Sequence, residues 1–236
     1  MSLPTSDEVV PHHGDPGVWE ANRTRLPSGL TVALSREVGS RGGSIARRLG
    51  RQLGWPVYTQ EELDYLIRPG PDHDRILSDA GPQRLAWAEQ RLQHLLDEQR
   101  LSGDPGMIES ARIILVLGAT GEVVFLGRAA GYLLPARTTL HARIIAPRSD
   151  RMAYLSQWMR LTPEEAAEQL RRRETRRADF LAEHVRRPSA DLDPFDLMLN
   201  STRLGEEACA ELLSRAVRAK LDSWGEELQD SPSAVG

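Results

Sequence analysis

The chain has 236 residues, of which 40 % are hydrophobic and 27 % charged, and its formal net charge at pH 7 is -4. This length and composition predict a globular protein with one substantial core, and the net negative charge argues against partners that are nucleic acid or membrane. The single cysteine, Cys209, excludes an intramolecular disulfide, and no apolar run approaches the ~18 residues of a membrane-spanning helix. We therefore predict a cytoplasmic protein.

The first predicted unit is a strand, a glycine-rich turn and a helix. Residues 1–29 are rich in Pro, Gly, Asp and Ser and predict a disordered N-terminal arm. Residues 30–34 form a short apolar run that is typical of a buried parallel strand. The turn covers residues 39–44, and apolar residues then recur at helical spacing until Gly54. This order is the start of a βαβ unit.

The middle of the chain is predicted to be mainly helical. Residues 57–58 predict a brief strand, followed by a helix that contains Leu63. Residues 68–81 have a loop-like composition, and residues 83–101 show a helical period. We interpret residues 68–106 as a helical insert whose role the sequence does not indicate.

Residues 107–117 fit either a strand or a helix by composition. A helix is favoured because Gly118 and Gly121 resemble a helix stop just before a better strand candidate, residues 123–126.

The remaining elements continue the alternation of strands and helices. Residues 142–146 predict a strand, and a helix begins near Ser149 or Asp150. Thr162 and Glu165 predict a capping box at the start of another helix. The last strand is predicted at residues 196–200.

An amphipathic helix closes the domain, which spans residues 30–224, and residues 225–236 predict a disordered tail. The alternation predicts an α/β fold of three layers, α/β/α, around a mostly parallel five-stranded sheet.

The glycine-rich turn is the main functional signal. Backbone N–H groups of such a turn, opening onto a helix N-terminus, bind phosphate at the carboxyl end of a strand. The turn lacks the Walker A pattern Gly-x-x-x-x-Gly-Lys-Ser/Thr, so a plain tight turn between strand and helix fits it equally well.

Five segments in order resemble the cytidylate-kinase-like family of bacterial proteins, over about residues 30–215. They are residues 34–46 (LSREVGSRGGSIA), 125–129 (FLGRA), 145–151 (IAPRSDR), 176–180 (RRADF) and 195–204 (FDLMLNSTRL). The resemblance implies a P-loop NTPase-type fold, with ATP and Mg²⁺ as cofactors and a nucleotide as substrate.

The resemblance also implies roles for particular residues. The ATP phosphates are expected against Arg36, Gly39, Ser40, Arg41, Gly42, Gly43 and Ser44. Ser44 is also the expected Mg²⁺ contact. Gly127 and Arg128 resemble a Gly-Arg pair that holds the acceptor phosphate, so Arg128 is expected in substrate binding and in catalysis. A surface arginine after a strand is the alternative.

Residues 163–190 occupy the place of a mobile lid. Within them, residues 171–177 form a basic run in which Arg173 and Arg177 are like charges one turn apart, a repulsion that an anion would reverse. We expect both arginines to be catalytic and Arg176, Asp179 and Asp196 to bind substrate. The alternative is a solvated helix face on which Glu168 pairs with Arg172.

The lysine of the Walker A pattern is missing. With the lysine position placed at Gly42, the hydroxyl is assigned to Ser44, two residues later, and Arg41 or Arg36 is the candidate replacement for the charge. The leading hypothesis is an ATP-dependent phosphotransferase acting on a nucleoside monophosphate. The alternatives are a nucleotide-binding regulator without turnover and a kinase for another small metabolite. A homodimer is a further expectation, because the long helix at residues 83–101 suits an interface as well as a substrate cover.

Overall fold

The computed structural model describes residues 26–186 and 194–230. The five strands are β1 (Thr31–Arg36), β2 (Val57–Tyr58), β3 (Val124–Leu126), β4 (Thr139–Ile145) and β5 (Leu197–Asn200). The eight α-helices of the described residues are α1 (Gly42–Leu53), α2 (Gln60–Leu66), α3 (Pro71–Asp97), α4 (Pro105–Thr120), α5 (Ala130–Leu133), α6 (Arg148–Met159), α7 (Pro163–His184) and α8 (Ser201–Asp230). A 3₁₀ turn, Ala136–Thr138, precedes β4.

The strands form one parallel sheet in the order β2-β3-β1-β4-β5. The predicted α/β fold with a five-stranded sheet is confirmed, and all five strands run parallel. The central strand β1 pairs with β3 on one side and with β4 on the other. The carboxyl ends of β1, β3 and β4 therefore lie side by side at one edge of the sheet, where parallel α/β folds bind their ligands.

Helices cover both faces of the sheet. One buried cluster joins β1 and β4 to α1 and α8 through Leu34, Ile144 and Leu213. The other joins Ala33 and Phe125 to α3, α4 and α5. Since side chains alternate along a strand, Leu140, Ala142 and Ile144 of β4 face α8 and its neighbours, whereas His141 and Arg143 face the other side.

The helical part between β2 and β3 differs from the sequence prediction. Residues 71–80, predicted as loop, belong to α3, which begins with Pro71 at a position where proline suits a helix. Gly81 (φ 76°, ψ 164°) kinks this helix, and its second arm ends at Asp97 rather than at Leu101. Residues 107–117 are helical, as predicted, and belong to α4.

Both ends of the domain extend beyond the predicted limits. Residues 26–29, assigned to the disordered arm, pack on α4, because the Ser28 amide donates to the Ala119 carbonyl at 2.9 Å and Pro27 is buried. Residues 1–25 lie outside the described residues. At the other end, α8 runs on to Asp230, past the predicted start of the tail, through residues such as Glu226 and Glu227 that favour helix.

Helices α6 and α7 form a hairpin at the place of the predicted lid. Leu155, Ala166 and Leu170 make its small core. The predicted capping box is present: Thr162 accepts from the Glu165 amide, and the Glu165 side chain accepts from the Thr162 amide. Helix α7 ends at His184, and residues 187–190 of the predicted lid lie outside the described residues. Of the helices that the structure describes, none is long and apolar enough to cross a membrane.

Candidate active site

The glycine-rich turn joins the carboxyl end of β1 to the N-terminus of α1. Gly39 adopts a left-handed conformation (φ 81°), and a Cβ there would lie 2.6 Å from the Arg151 carbonyl oxygen. The Ser40 hydroxyl donates to the Glu37 carbonyl at 2.8 Å, and the Ser201 hydroxyl donates to the Ser40 carbonyl at 2.8 Å. Ser40 is 1 % exposed, so its side chain braces the turn. The Ser40 amide also donates to the Glu37 carbonyl, at 3.2 Å, so both donors of Ser40 are engaged within the turn and neither is free for the predicted phosphate contact.

Arg36, the last residue of β1, lies across this turn. A Cβ added to Gly42 would be 2.7 Å from the Arg36 Cβ, and a Cβ added to Gly127 would be 2.4 Å from its Nη1. The Arg36 side chain therefore runs over Gly42 and ends against Gly127, beyond β3. Burial lowers the pKa of Arg36, with Glu61 opposing that shift.

Arg177 of the lid reaches the same place. Its guanidinium donates to the Arg36 carbonyl oxygen. The pKa of Arg177 is lowered to about 10, first by burial and then by the positive charges of Arg36 and Arg143. Arg143 comes from β4, opposite Ser35 in the register, and its guanidinium lies 5.4 Å from the centroid of the Phe195 ring.

Arg36, Arg143 and Arg177 form what we call the arginine cluster. Among the described residues, no carboxylate oxygen lies within 4.0 Å of a charged nitrogen of these three side chains. Glu61 and Glu37 oppose the pKa shifts of Arg36 and Arg177 from farther away, but like charges that share a partly buried site without a carboxylate in direct contact raise the free energy of the empty protein. The cluster is thus suited to bind an anion at the carboxyl edge of the sheet.

Arg41, also predicted to contact phosphate, points away from this cluster. It is the residue just before α1, in a left-handed conformation (φ 61°), and its side chain is 44 % exposed. The guanidinium lies 5.3 Å from the centroid of the Tyr154 ring and 3.9 Å from a Glu206 carboxylate oxygen.

Arg128 lies at the same edge of the sheet but has a partner. It forms an ion pair with Asp64 of α2, and its guanidinium lies 5.7 Å from the centroid of the Phe180 ring. Burial lowers the pKa of Arg128, and Glu61 opposes the shift. Its predicted role in holding an acceptor phosphate therefore requires this ion pair to open or to be shared.

The inner face of α7 carries part of the predicted set. Arg173, Glu174 and Arg177 are partly buried, and Arg173 lies 3.6 Å from the sulfur of Met159. Arg176 and Asp179, predicted to bind substrate, are exposed on the outer face. The solvated part of the helix also pairs differently from the prediction, because Glu168 contacts Arg171 instead of Arg172.

Asp196 lies apart from the cluster. Its carboxylate accepts from the His141 amide at 2.8 Å and from Nζ of Lys220 at 3.0 Å, beside an early residue of β4. His141 precedes the end of β4 by four residues, or roughly 13 Å of strand. These contacts give Asp196 a structural role, joining the start of β5 to β4 and α8.

The glycine-rich turn of residues 39–44, which we call the cradle, suits phosphate groups. Ser44 lies in the first turn of α1, where a magnesium contact is predicted. Among the described residues, no group of three or more His, Cys, Asp or Glu side chains is placed to hold a metal. A Mg²⁺ ion would therefore be held mainly by the phosphates and water, as Mg²⁺ commonly is in phosphate-binding sites.

A comparison with models of protein families identifies the family to which the chain belongs. The model of the cytidylate kinase-like family matches residues 31–203, which is more than half of the chain. The chain belongs to the cytidylate kinase-like family. With its parallel sheet and glycine turn, this cytidylate kinase-like protein has the predicted P-loop-type α/β/α fold.

Solved structures resemble the protein at low sequence identity. A crystal structure of an uncharacterized protein from Eubacterium ventriosum has a TM-score of 0.61 at 14 % identity, covering 80 % of this chain and 98 % of the other. Shikimate kinase from Bacteroides thetaiotaomicron has a TM-score of 0.42 at 13 % identity, covering 80 % and 98 %. A gluconokinase from Sinorhizobium meliloti has a TM-score of 0.42 at 15 % identity, covering 87 % and 98 %. A comparison with curated proteins gives no match.

The sequence prediction missed two residues that shape the site of this family member. Arg143 was included in a strand without a role, although a charged residue between Ala142 and Ile144 in a buried strand is a signal. Asp64 gave no signal, because its partner Arg128 is distant in the sequence. Arg151, in a segment that carried the family resemblance, proves to be a brace, donating to the Ala146 carbonyl at 2.9 Å and pairing with Glu174 of the lid.

Proposed function

We propose that the protein transfers the γ-phosphoryl group of Mg·ATP to a nucleoside monophosphate, with cytidylate as the first candidate acceptor. The family supports a phosphotransferase, and kinases with P-loop folds generally use ATP and Mg²⁺. The acceptor base follows from the family resemblance alone.

The arginine cluster is the observation that carries this proposal. It combines a cation from β1, one from β4 and one from the lid beside a glycine turn that presents backbone N–H groups. Phosphoryl transfer is catalysed mainly by positioning and by neutralising charge on the phosphates. Cations from three separate elements around one phosphate cradle match that requirement.

Each part of the site then has a chemical task. The turn binds the ATP phosphates through backbone N–H groups, and bound Mg²⁺ neutralises part of their charge. Arg177 is on the lid, so its approach to the transferred group depends on the position of α7. Closure of the α6–α7 hairpin excludes water from the site and protects ATP from hydrolysis.

The test is ADP release from Mg·ATP by the purified protein with CMP, dCMP, UMP, AMP or GMP. We expect release that depends on one acceptor and falls by about 10- to 100-fold in Arg177→Gln, the loss expected for one charge-assisted contact. Arg171→Ala is the matched control, because Arg171 lies exposed on the same helix and pairs with Glu168. A folded protein that releases no ADP with any of the five acceptors overturns the proposal.

A nucleotide-binding regulator without turnover is the second candidate, and the Arg128–Asp64 ion pair favours it. An arginine expected to hold the acceptor is neutralised by a carboxylate of the chain itself. The two functions differ in a simple way. A regulator binds ATP, seen as a rise in melting temperature, and releases no ADP with any acceptor.

A further inference from the structure

We propose that Arg36 supplies the charge of the missing Walker A lysine, from a position six residues earlier in the chain. This inference rests on the proposed function, because it assigns the cation that contacts the phosphates of ATP. The phosphate-binding turn is the one already described, and Arg36 is the side chain that replaces the lysine.

The alignment of the turn shows an exchange of two residue types. With the lysine position at Gly42, the first glycine of the pattern Gly-x-x-x-x-Gly-Lys falls at position 36. The chain thus has arginine where the pattern has glycine, and glycine where the pattern has lysine. The second glycine of the pattern falls at Arg41, so the chain lacks the lysine of α1 and has an arginine at each glycine position, one of them at the end of β1.

The geometry explains why the two changes belong together. A Cβ on Gly42 would lie 2.7, 3.1 and 3.3 Å from Cβ, Cγ and Cδ of Arg36. The aliphatic part of Arg36 therefore fills the space in which a side chain at position 42 would begin. A lysine at Gly42 and the present conformation of Arg36 are mutually exclusive.

A second glycine, Gly127, determines where the Arg36 guanidinium lies. The Arg36 guanidinium ends against Gly127, where a Cβ would be 2.4 Å from Nη1 and 3.6 Å from Cζ. Glycines at positions 42 and 127 thus form the floor of a channel for this side chain. The channel directs the guanidinium to the carboxyl edge of β3, beside the cradle.

The other candidate cation does not reach the cradle. Arg41 is turned toward Tyr154 and Glu206, and Glu206 partly neutralises it. The Arg36 side chain has no carboxylate within 4.0 Å among the described residues. Its planar fork donates two hydrogen bonds to a phosphate, where a lysine supplies a point charge.

The experiment exchanges the charge between the two positions. Arg36→Met removes the charge and keeps the aliphatic stem, and Gly42→Lys adds the lysine in the presence of Arg36. The double variant Arg36→Gly with Gly42→Lys restores the Walker A arrangement at both positions. Arg51→Met, an exposed residue of α1, is the matched control. Each variant is measured for ATP affinity, ADP release and melting temperature.

We expect Arg36→Met to lose about 10- to 100-fold in ATP affinity or in kcat/KM while keeping its fold. Gly42→Lys is expected to lower the melting temperature through its clash with Arg36. The double variant is expected to recover most of the loss seen in Arg36→Met, which is the result that a purely structural Arg36 would not give.

Two results overturn the inference. One is a folded Arg36→Met protein whose ATP affinity and kcat/KM stay within about twofold of the unchanged protein, against the 10-fold or greater loss expected. The other is a double variant that melts normally and recovers nothing. If the unchanged protein binds ATP but has no kinase activity, the proposed function fails, and the ATP affinities alone still decide the role of Arg36. If the double variant does not fold, the affinity of Arg36→Met decides it.

Discussion

Arg177 is a positively charged residue in an environment that disfavours positive charge. It is partly buried, two further arginines lie close to it, and its guanidinium donates to the Arg36 carbonyl. Its pKa is lowered to about 10 in the folded protein, below the usual value for an arginine. Between these values the unfolded chain binds more protons, so the contribution of Arg177 to stability rises with pH. At neutral pH the protonated group costs the protein stability.

Removing this charge is expected to stabilise the protein while weakening nucleotide binding. Arg177→Gln keeps a hydrogen-bond donor, and we expect a gain of about 1 kcal/mol, or roughly 2–4 °C in melting temperature. The ATP affinity is expected to fall in the same variant. Thermal melting with and without Mg·ATP measures both effects.

The matched control for this prediction is again Arg171→Ala, which leaves the cluster intact. A lower melting temperature for Arg177→Gln in the absence of ligand would mean that the guanidinium is a net stabilising contact. The cluster would then be a structural network and not an anion site.

At the scale of elements, the hydrophobic pattern predicts the core helices well and the exposed ones poorly. Helix α4 is buried along most of its length, and Gly118 and Gly121 mark its end, so its type was predictable. The first arm of α3 follows Gly70, begins with Pro71 and ends at Gly81, and these residues resemble a loop in sequence. In the structure Pro71 starts the helix and Gly81 kinks it. Only packing against α4 distinguishes such a kinked helix from a loop of the same composition.

The candidate site was predictable where it depends on the backbone and obscure where it depends on side-chain direction. The turn at residues 39–44 follows from a strand, glycines and a helix in succession. Arg36 and Arg41 are both near this turn in sequence, yet the Arg36 side chain crosses Gly42 toward Gly127 and Arg41 faces Tyr154. Arg143 joins Arg36 only because β4 pairs with β1, a contact between residues about a hundred positions apart.

The capping box of α7 is expected to matter for the lid in particular. Thr162→Ala removes the contacts with Glu165, at a cost of about 1 kcal/mol. Helix α7 packs mainly on α6, so we expect faster amide hydrogen exchange in the first turn of α7 and an unchanged sheet. Hydrogen exchange with mass spectrometry measures this effect.

Thr59 provides a matched control, because it forms the same capping box with Glu62 in α2. Thr59→Ala should increase exchange in α2 and leave α7 unchanged. Equal exchange in α7 in Thr162→Ala and in the unchanged protein would show that the hairpin core alone holds this helix.

At the scale of the whole molecule, the glycine-rich turn lies where α6, the lid helix α7 and α8 meet, so a nucleotide bound there is expected to contact several elements. The turn is braced by α8 through Ser201 and by α6 through Arg151, while Arg177 of the lid contacts the adjoining end of β1 at Arg36. A nucleotide bound there adds contacts between elements that belong to separate buried clusters. Its binding free energy is therefore expected to stabilise the whole fold.

Mg·ATP is expected to raise the melting temperature of the complete protein. At a concentration 100 times its dissociation constant, a ligand adds about 2.7 kcal/mol, or roughly 5–11 °C for a chain of this size. Differential scanning fluorimetry with ATP, with Mg²⁺ alone and with both measures the effect. An unchanged melting temperature at millimolar Mg·ATP would contradict the assignment of the cradle to nucleotide phosphates.

The ion pair of Lys220 has a consequence for chemical labelling. Lys220 is the only lysine of the chain, its side chain is 21 % exposed, and Nζ donates to the Thr139 carbonyl at 2.7 Å and to Asp196 at 3.0 Å. Because an ammonium held by two acceptors reacts slowly with acylating reagents, the folded protein should accept an amine-directed dye almost entirely at its N-terminal amine. Acylation of Lys220 would then report the opening of the α8–β4 contact without any engineered label site.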